Sequence, residues 1–560
     1  MATREEAIAQ LTGPGGPFEI RQEVVLGVPM RVYAGGPRAM RDIVVGSRQF
    51  GDRPFLVWYD EHYSYADHFD LVAGLAHELR DNHGVGHGDR VAIAMRNYPE
   101  FLISFWATQA LGAVAVPLNA WWTGPELEYG LRDSGAKVLF ADGERLRRLD
   151  KIVGGIDTLT SVIAVRAGDD PGPGEPFEEV AARLPRGLEL PEVEVGIDDD
   201  ATIMYTSGTT GRPKGAVGTQ RNHITNLLNT LLGGAAGAAI AGITPDPDAP
   251  QACGLQTFPF FHIGGLSGLY ISTAVGSKLV LMYKWDVAEA LDLIEREGVT
   301  SAAMVPTLLR QLLESPSLTG RDVSRLGAIA SGGAAVPPDL IRRIESDFAS
   351  KVSPANGYGL TETTSAVVAN SGPMYFEHPD SVGLPAPTAD LRIVDLDGND
   401  VPDGEIGELW FRGPNVVRGY WNQPEATAAA FTDGWFHTGD LGRRDEDGFV
   451  YVVDRIKDVV IRGGENVYCA EVEAVLFEHP AVLDVAIIGV PHRSLGEEVA
   501  AVVQLREGAS ATAQDLQRHV AERLATFKVP SLVVFRDEPL PRNAAGKVLK
   551  RELRDEVTAT

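Results

Sequence analysis

The chain has 560 residues, 44% of them hydrophobic and 23% charged, the balance of an ordinary globular protein and a length that calls for several domains. Its 77 acidic and 50 basic side chains give a formal charge of −27, which excludes nucleic acid and anionic membrane as expected partners, because both are gripped by clustered Lys and Arg. Two cysteines, Cys253 and Cys469, provide neither a disulfide framework nor a metal-ligand spacing.

In chain order, the N-terminus carries acids where a signal peptide needs an apolar run, and a cytoplasmic location is expected. From residue 90 short apolar runs alternate with amphipathic segments. Strands are expected over 90–95, 113–118 and 137–141, with helices over 99–112 and 124–134. The longest apolar stretch, 101–118, is interrupted by Ser104, Thr108 and Gln109, so it reads as a buried helix and a strand, with no integral membrane span. A second series places strands over 255–260, 277–282, 301–305 and 327–331. It has a helix over 286–298, whose Val287, Ala290, Leu291 and Ile294 share one face, and another opening at Pro337. Between the two series, 233–251 is rich in Gly, Ala, Pro and Asp and reads as a mobile surface excursion.

From Leu391 the pattern changes to short strands with Asp-Gly turns at 397–398, 403–404, 433–434 and 447–448, which imply antiparallel hairpins. After residue 454 a compact α+β region follows, with a helical stripe at Leu516, Val520 and Leu524. The expected fold class is α/β: a large N-terminal domain (1–454) of two helix-covered sheets plus a β-rich subdomain (about 385–454), and a small α+β C-terminal lid domain (458–560). The chain's last residues, Thr-Ala-Thr, are no retention or peroxisomal address.

One stretch carries the strongest chemical signal. Residues 205–215 read Tyr-Thr-Ser-Gly-Thr-Thr-Gly-Arg-Pro-Lys-Gly. Glycines let successive N–H groups turn toward one point, hydroxyls add donors, and Lys214 adds a compact mobile charge; together they cradle a polyanion such as phosphate. A polar surface loop has no need of that lysine. The spacing is not that of the usual nucleotide hydrolases, which place lysine directly after glycine and a hydroxyl after the lysine. Three further clusters hold polar groups that a fold alone does not demand: Asn356-Gly-Tyr-Gly-Leu-Thr-Glu-Thr-Thr364, Phe436-His-Thr-Gly-Asp440 and Pro541-Arg-Asn-Ala-Ala-Gly-Lys547. In the second, the acid is expected at a strand end after a tight turn.

Together with Asp454-Arg-Ile-Lys457, these motifs in this order resemble the adenylate-forming family of acyl-CoA synthetases, luciferases and peptide-synthetase adenylation domains, over about 50–555. The resemblance implies an AMP-forming ligase. A carboxylate attacks the α-phosphate of ATP–Mg²⁺ to give acyl-adenylate and pyrophosphate, then the thiol of CoA displaces AMP. It implies that Thr206, Ser207, Gly208, Thr209, Thr210, Gly211 and Lys214 hold the β- and γ-phosphates, that Thr361 donates to the α-phosphate, and that Glu362 ligates Mg²⁺. Asn356 would read the adenine amino edge, Tyr358 would stack on the base, and Gly333 and Ala334 would line its other side. Gly357 and its neighbour Gly359 would allow close backbone approach. Asp440 would accept the ribose hydroxyls, assisted by Arg455.

By the same resemblance Lys547 is the catalytic lysine, entering from the small domain, and residues 455–457 form a hinge, with Lys457 at the hinge position. Gly463 and Gly464 would line the CoA tunnel. His262 would lie beside the acyl carboxylate as pocket lining and not as a base, since the attacking carboxylate is already ionised. Apolar side chains such as Phe260 and Phe261, with Thr307, suggest a fatty or other apolar acid. Cys469 stands where many relatives have proline. Relatives are commonly homodimers, so a second copy is among the implied partners. The alternatives are an acyl-adenylate donor to a carrier protein in trans, a luciferase-like oxygenase, and a non-catalytic nucleotide-binding scaffold. The last is expected to lose Lys547 or Glu362, and both are present.

Overall fold

The computed structural model describes residues 3–168, 171–206, 212–244, 246, 248–348, 351–543 and 546–559. Strands Arg90–Ala94, Val114–Pro117 and Val138–Asp142 alternate with helices Pro99–Ala110 and Gly124–Ser134, as the periodicity predicts. These strands are almost wholly buried, as parallel strands covered on both faces must be. They belong to a seven-stranded sheet in the order Lys214–Thr219, Asp200–Thr206, Val114–Pro117, Arg90–Ala94, Val138–Asp142, Ser161–Val165, Glu175–Pro176. All neighbours are parallel except the first pair.

The second series builds a nine-stranded sheet. Its parallel centre runs Ser353–Leu360, Ala328–Gly332, Ser301–Met304, Cys253–Gln256, Lys278–Leu281, Pro54–Trp58. Pro54–Trp58 reaches this sheet from the start of the chain, a pairing that local pattern does not announce. The largest core lies between the two sheets. It joins Val91 and Ile93 of one to Leu279 and Leu281 of the other through Phe101, Phe105, Leu266 and Tyr270.

Three expectations are corrected here. Residues 233–240 are not a loop: helix Gln220–Ile240 runs through them. Its alanines favour helix strongly enough to offset the glycines, and Leu232 and Ala236, four residues apart, are buried on one face. The strand expected over 255–260 is Cys253–Gln256, and the chain then leaves the sheet. Phe260 turns into the main core, its ring 5.1 Å from Phe101. Pro337 is the residue before helix Pro338–Asp347 rather than its first residue.

The β-rich subdomain is an antiparallel sheet of Asp390–Val394, Gly407–Arg412, Phe431–Thr432, Trp435–Arg444 and Val450–Arg455. All four Asp-Gly glycines have positive φ, between 80° and 90°. Beyond it, Val460–Arg462, Glu465–Val467, Val482–His492, Gly496–Leu505 and Leu532–Phe535 form a separate five-stranded sheet covered by helices Cys469–Phe477, Ala513–Ala521 and Lys550–Ala559. The architecture is thus a large α/β domain with a β-rich part and a small α+β C-terminal domain. No helix among the described residues is long and apolar enough to cross a membrane.

Candidate active site

The glycine-rich stretch begins and ends in two paired strands. Strands Asp200–Thr206 and Lys214–Thr219 pair antiparallel, with Thr206 opposite Lys214. Ser207, Gly208, Thr209, Thr210 and Gly211 lie outside the described residues. Segment 417–421 runs along the hairpin's outer strand: the Val217 amide donates to the Gly419 carbonyl (3.0 Å) and the Trp421 amide to that of Gly215 (2.7 Å). This staple delivers Tyr420. Its ring lies 4.9 Å under the Lys214 ammonium, and its hydroxyl donates to Glu362 Oε1 at 2.8 Å.

Glu362 sits in the one-turn 3₁₀ helix Thr361–Thr363 that follows strand Ser353–Leu360. Immediately after it Thr364 and Ser365 hold φ of 49° and 75°, a left-handed pair that is strained for a β-branched residue and of the kind found at ligand sites. Burial pushes the Glu362 carboxyl above its ordinary pKa, although Tyr420, Lys547 and Lys214 all favour its ionised form. The remaining demand is for positive charge. Among the described residues no cluster of three or more His, Cys, Asp or Glu could hold a metal ion. One buried carboxylate beside the hairpin that carries Lys214 suits an ion that takes most of its oxygens from phosphates and water, as Mg²⁺ does.

A second group faces the same region. Strand Trp435–Arg444 carries Asp440, in mid-strand and not at its end, next to a register shift and to Gly439 at φ 70°. Tyr358 donates its hydroxyl to Asp440 Oδ2 at 2.8 Å, and Arg455 Nε lies 3.3 Å from Oδ1. Burial, then Asp440, raises the Tyr358 pKa well above its ordinary value, so the phenol stays a donor. Asn356 is buried on the same strand as Tyr358. Gly333 and Ala334, both exposed, follow the carboxyl end of Ala328–Gly332, and Gly333 has φ 78°. The close approach that Gly359 permits is to the neighbouring strand: a Cβ there would lie 1.9 Å from the Ser365 carbonyl oxygen. At Gly357 a Cβ would meet Ala366 at 3.0 Å.

Lys547 enters from the small domain. Hydrogen bonds within that domain hold the described residues of its loop: the Asn543 amide donates to the Lys547 carbonyl (2.9 Å), the Lys547 amide to Asn543 Oδ1 (3.0 Å), and Arg542 to the Gly546 carbonyl (2.7 Å) and to Asp484 (2.6 Å). Gly546, at φ 77°, lies against Val305 of the large domain, where a Cβ would come within 3.1 Å. The Lys547 ammonium is among Arg455, Asp440, Glu362 and Lys457; burial, then Arg455, lowers its pKa to about 8. Burial, then Lys547, lowers that of His262 to about 4, leaving a neutral imidazole whose enclosed Nε2 has no hydrogen-bond partner. Burial, then Arg455, lowers Lys457 as well.

A model of the AMP-binding enzyme matches residues 45–421, and one of the AMP-binding enzyme C-terminal domain matches residues 471–547. The chain belongs to the AMP-binding enzyme family. Within the adenylate-forming superfamily it is an acid–thiol ligase of the acyl-CoA synthetase kind. It is similar to a feruloyl-CoA synthase of Amycolatopsis (38% identical, covering 88% of this chain and 93% of the relative). A long-chain-fatty-acid–CoA ligase of Bacillus subtilis is 34% identical over 91% of this chain and 93% of its own. Among solved structures, the o-succinylbenzoate CoA synthetase of Bacillus subtilis in complex with its acyl-adenylate intermediate superposes with a TM-score of 0.77, at 33% identity over 92% of this chain and 98% of that one.

In this AMP-binding enzyme the structure brings together Lys214, Glu362, Asp440, Arg455, Lys457, His262 and Lys547, residues spread over more than half the chain. Gly463 and Gly464 are set apart, as the two-residue turn of hairpin Val460–Val467, with φ of 60° and 92° and Leu495 as the contact of Gly463. The roles of Tyr420, Arg542 and Val305 are not given by the sequence. An aromatic beside glycine in Arg418-Gly-Tyr-Trp421 was a usable signal for the first, while the others are meaningful only through their three-dimensional neighbours.

Proposed function

We propose that this AMP-binding enzyme activates an apolar carboxylic acid, aromatic or fatty, with ATP to an acyl-adenylate and then transfers the acyl group to CoA. The observation that carries this reading is Lys547 of the small domain, buried beside the Glu362 and Asp440 carboxylates of the large one. In the first step a carboxylate oxygen bonds to the α-phosphorus and the bond to pyrophosphate breaks; no proton moves. Lys547 bridges the attacking carboxylate and α-phosphate, Thr361 donates to that phosphate, and Lys214 with Thr206 holds the departing pyrophosphate. Such preorganised charge is commonly the largest catalytic contribution. Bound through Glu362, Mg²⁺ would neutralise phosphate charge. His262, neutral and with a free ring nitrogen, orients the acid.

Asp440, already oriented by Tyr358 and Arg455, accepts from the ribose; Asn356, Gly333, Ala334 and Gly357 border the adenine. In the second step the thiol sulfur bonds to the acyl carbon, AMP leaves and the thiol proton is lost. For this the small domain turns about 455–457 with Lys457 at the pivot, Lys547 withdraws, and the Gly463–Gly464 turn borders the thiol's path. The similarity to a feruloyl-CoA synthase and a long-chain-fatty-acid–CoA ligase supports an apolar acid and CoA as acceptor.

Pyrophosphate release is to be measured with ferulate, dodecanoate, acetate and glutamate, with and without CoA. Release with the first two, and thioester formed only when CoA is present, is expected. Lys547→Ala should lose adenylation by on the order of 10²–10³ while still forming thioester from supplied acyl-adenylate. Adenylation with no CoA consumption points to a carrier protein as acceptor, and preference for acetate or glutamate overturns the apolar assignment.

A further inference from the structure

Lys547 acts only while the small domain is docked, so the contacts that hold it there matter as much as the lysine. Among the described residues, one ion pair joins the large domain to the small domain beyond residue 460. Arg506, just after strand Gly496–Leu505, grips Glu314 with both terminal nitrogens: Nη1 to Oε2 at 2.5 Å and Nη2 to Oε1 at 3.0 Å. Beside it the Arg310 guanidinium lies 5.1 Å over the ring of Phe477, the last residue of helix Cys469–Phe477. Arg310 and Glu314 share helix Pro306–Glu314, nine residues and about 13 Å long. Val305, directly before that helix, is the residue against which Gly546 of the lysine loop rests. The helix is therefore a spacer with the catalytic loop at one end and the arginine grip at the other. Its Leu309, Leu312 and Leu313 are buried in the large domain, so it does not yield.

We propose that the Arg506–Glu314 pair, with Phe477 on Arg310, is a releasable latch that positions Lys547 for adenylation. Release is cheap by construction. Glu314 also contacts Arg343 (3.2 Å) and Arg310 (3.6 Å), both on its own domain. When the small domain leaves, the carboxylate keeps these two partners and Arg506 passes into water, so no buried charge is stranded. Stranding one is what makes most buried ion pairs costly to break. Burial favours the neutral carboxyl, but Arg506, Arg310 and Arg343 outweigh it and hold Glu314 below the usual carboxylate range. Both side chains are partly exposed, so the latch is also open to screening by salt. Arg506 is thus a positioning residue for the first half-reaction and dispensable in the second.

The latch rests on the proposed two-step reaction, and its test has one arm that does not. Spin labels placed at Leu396→Cys and Arg518→Cys, both exposed, report the interdomain distance without any substrate. The unsubstituted latch should show one dominant distance. Arg506→Ala should lower the ratio of docked to released molecules about three- to tenfold, the scale of one well-formed partly exposed pair. Raising KCl from about 50 to about 500 mM should shift the intact latch the same way and leave the variant unmoved. An unchanged distribution in Arg506→Ala, or the same salt response in both proteins, overturns the proposal. In the kinetic arm, ATP–pyrophosphate exchange with ferulate should fall several-fold in Arg506→Ala. Thioester formation from feruloyl-adenylate and CoA should not slow, and Arg506→Lys should recover part of the loss. Equal loss in both half-reactions, or a matching fall in Tm, means a merely structural role. If ferulate is not activated at all, the substrate assignment fails while the distance arm still decides the latch.

Discussion

Lys547 is a cation whose surroundings resist its charge. Burial and Arg455 hold its pKa near 8, and only phosphate or carboxylate from substrates can repay that. Because the free enzyme governs kcat/KM, the adenylation profile should fall as pH rises through about 8, where the lysine loses the proton it needs. Lys547→Arg should remove that limb at some cost in rate, since guanidinium does not titrate there. A fall at the same pH in the arginine variant assigns the limb to another group. His262, near 4, adds no second limb between pH 5 and 8.

At the scale of elements, strand Ser353–Leu360 and its neighbour Ser365–Ser371 decide whether Glu362 and Tyr358 reach the site together. Their register shifts between Tyr358 and Gly359, and the neighbouring backbone crowds in where Gly359 has no side chain. Gly359→Ala must push those strands apart, so it should destabilise by about 1–3 kcal/mol or more and abolish adenylation, read by thermal unfolding and pyrophosphate release. A variant with unchanged Tm would mean that the strands part without cost. Much at this scale was legible beforehand. The 3.6-residue stripe of Val287–Glu297 and the Asp-Gly turns are local patterns, and local patterns survive into structure. The misses share a cause. Helix Gln220–Ile240 continues through its glycines because a tertiary face buries Leu232 and Ala236. Tyr420 matters because segment 417–421 lies along a hairpin two hundred residues earlier, and Val305 because the lysine loop lands on it. The motif residues were readable as members of one site because a family resemblance supplied the proximity that spacing could not.

For the whole molecule, the depressed Lys547 pKa links proton uptake to domain position. A lysine at about 8 when docked and near its ordinary 10.5 when released stabilises docking above 10.5, and that contribution is lost as pH falls through 8. Ligand-free enzyme should therefore release its small domain as pH drops from about 10.5 to about 8, and AMP or ATP should dock it again at pH 7 by supplying the anion. Small-angle scattering would register both changes, and a pH-independent radius would break the link. The Lys547 perch has one more consequence. Its hydrogen bonds with Asn543, and those of Arg542 to Gly546 and Asp484, close within the small domain, so these bonds do not depend on docking. In the proposed two-step reaction, the part that turns in and out of the cleft carries these bonds with it. Turnover then calls for reorientation of a rigid body, while the entropy of shaping the lysine's seat was surrendered once, when the polypeptide folded.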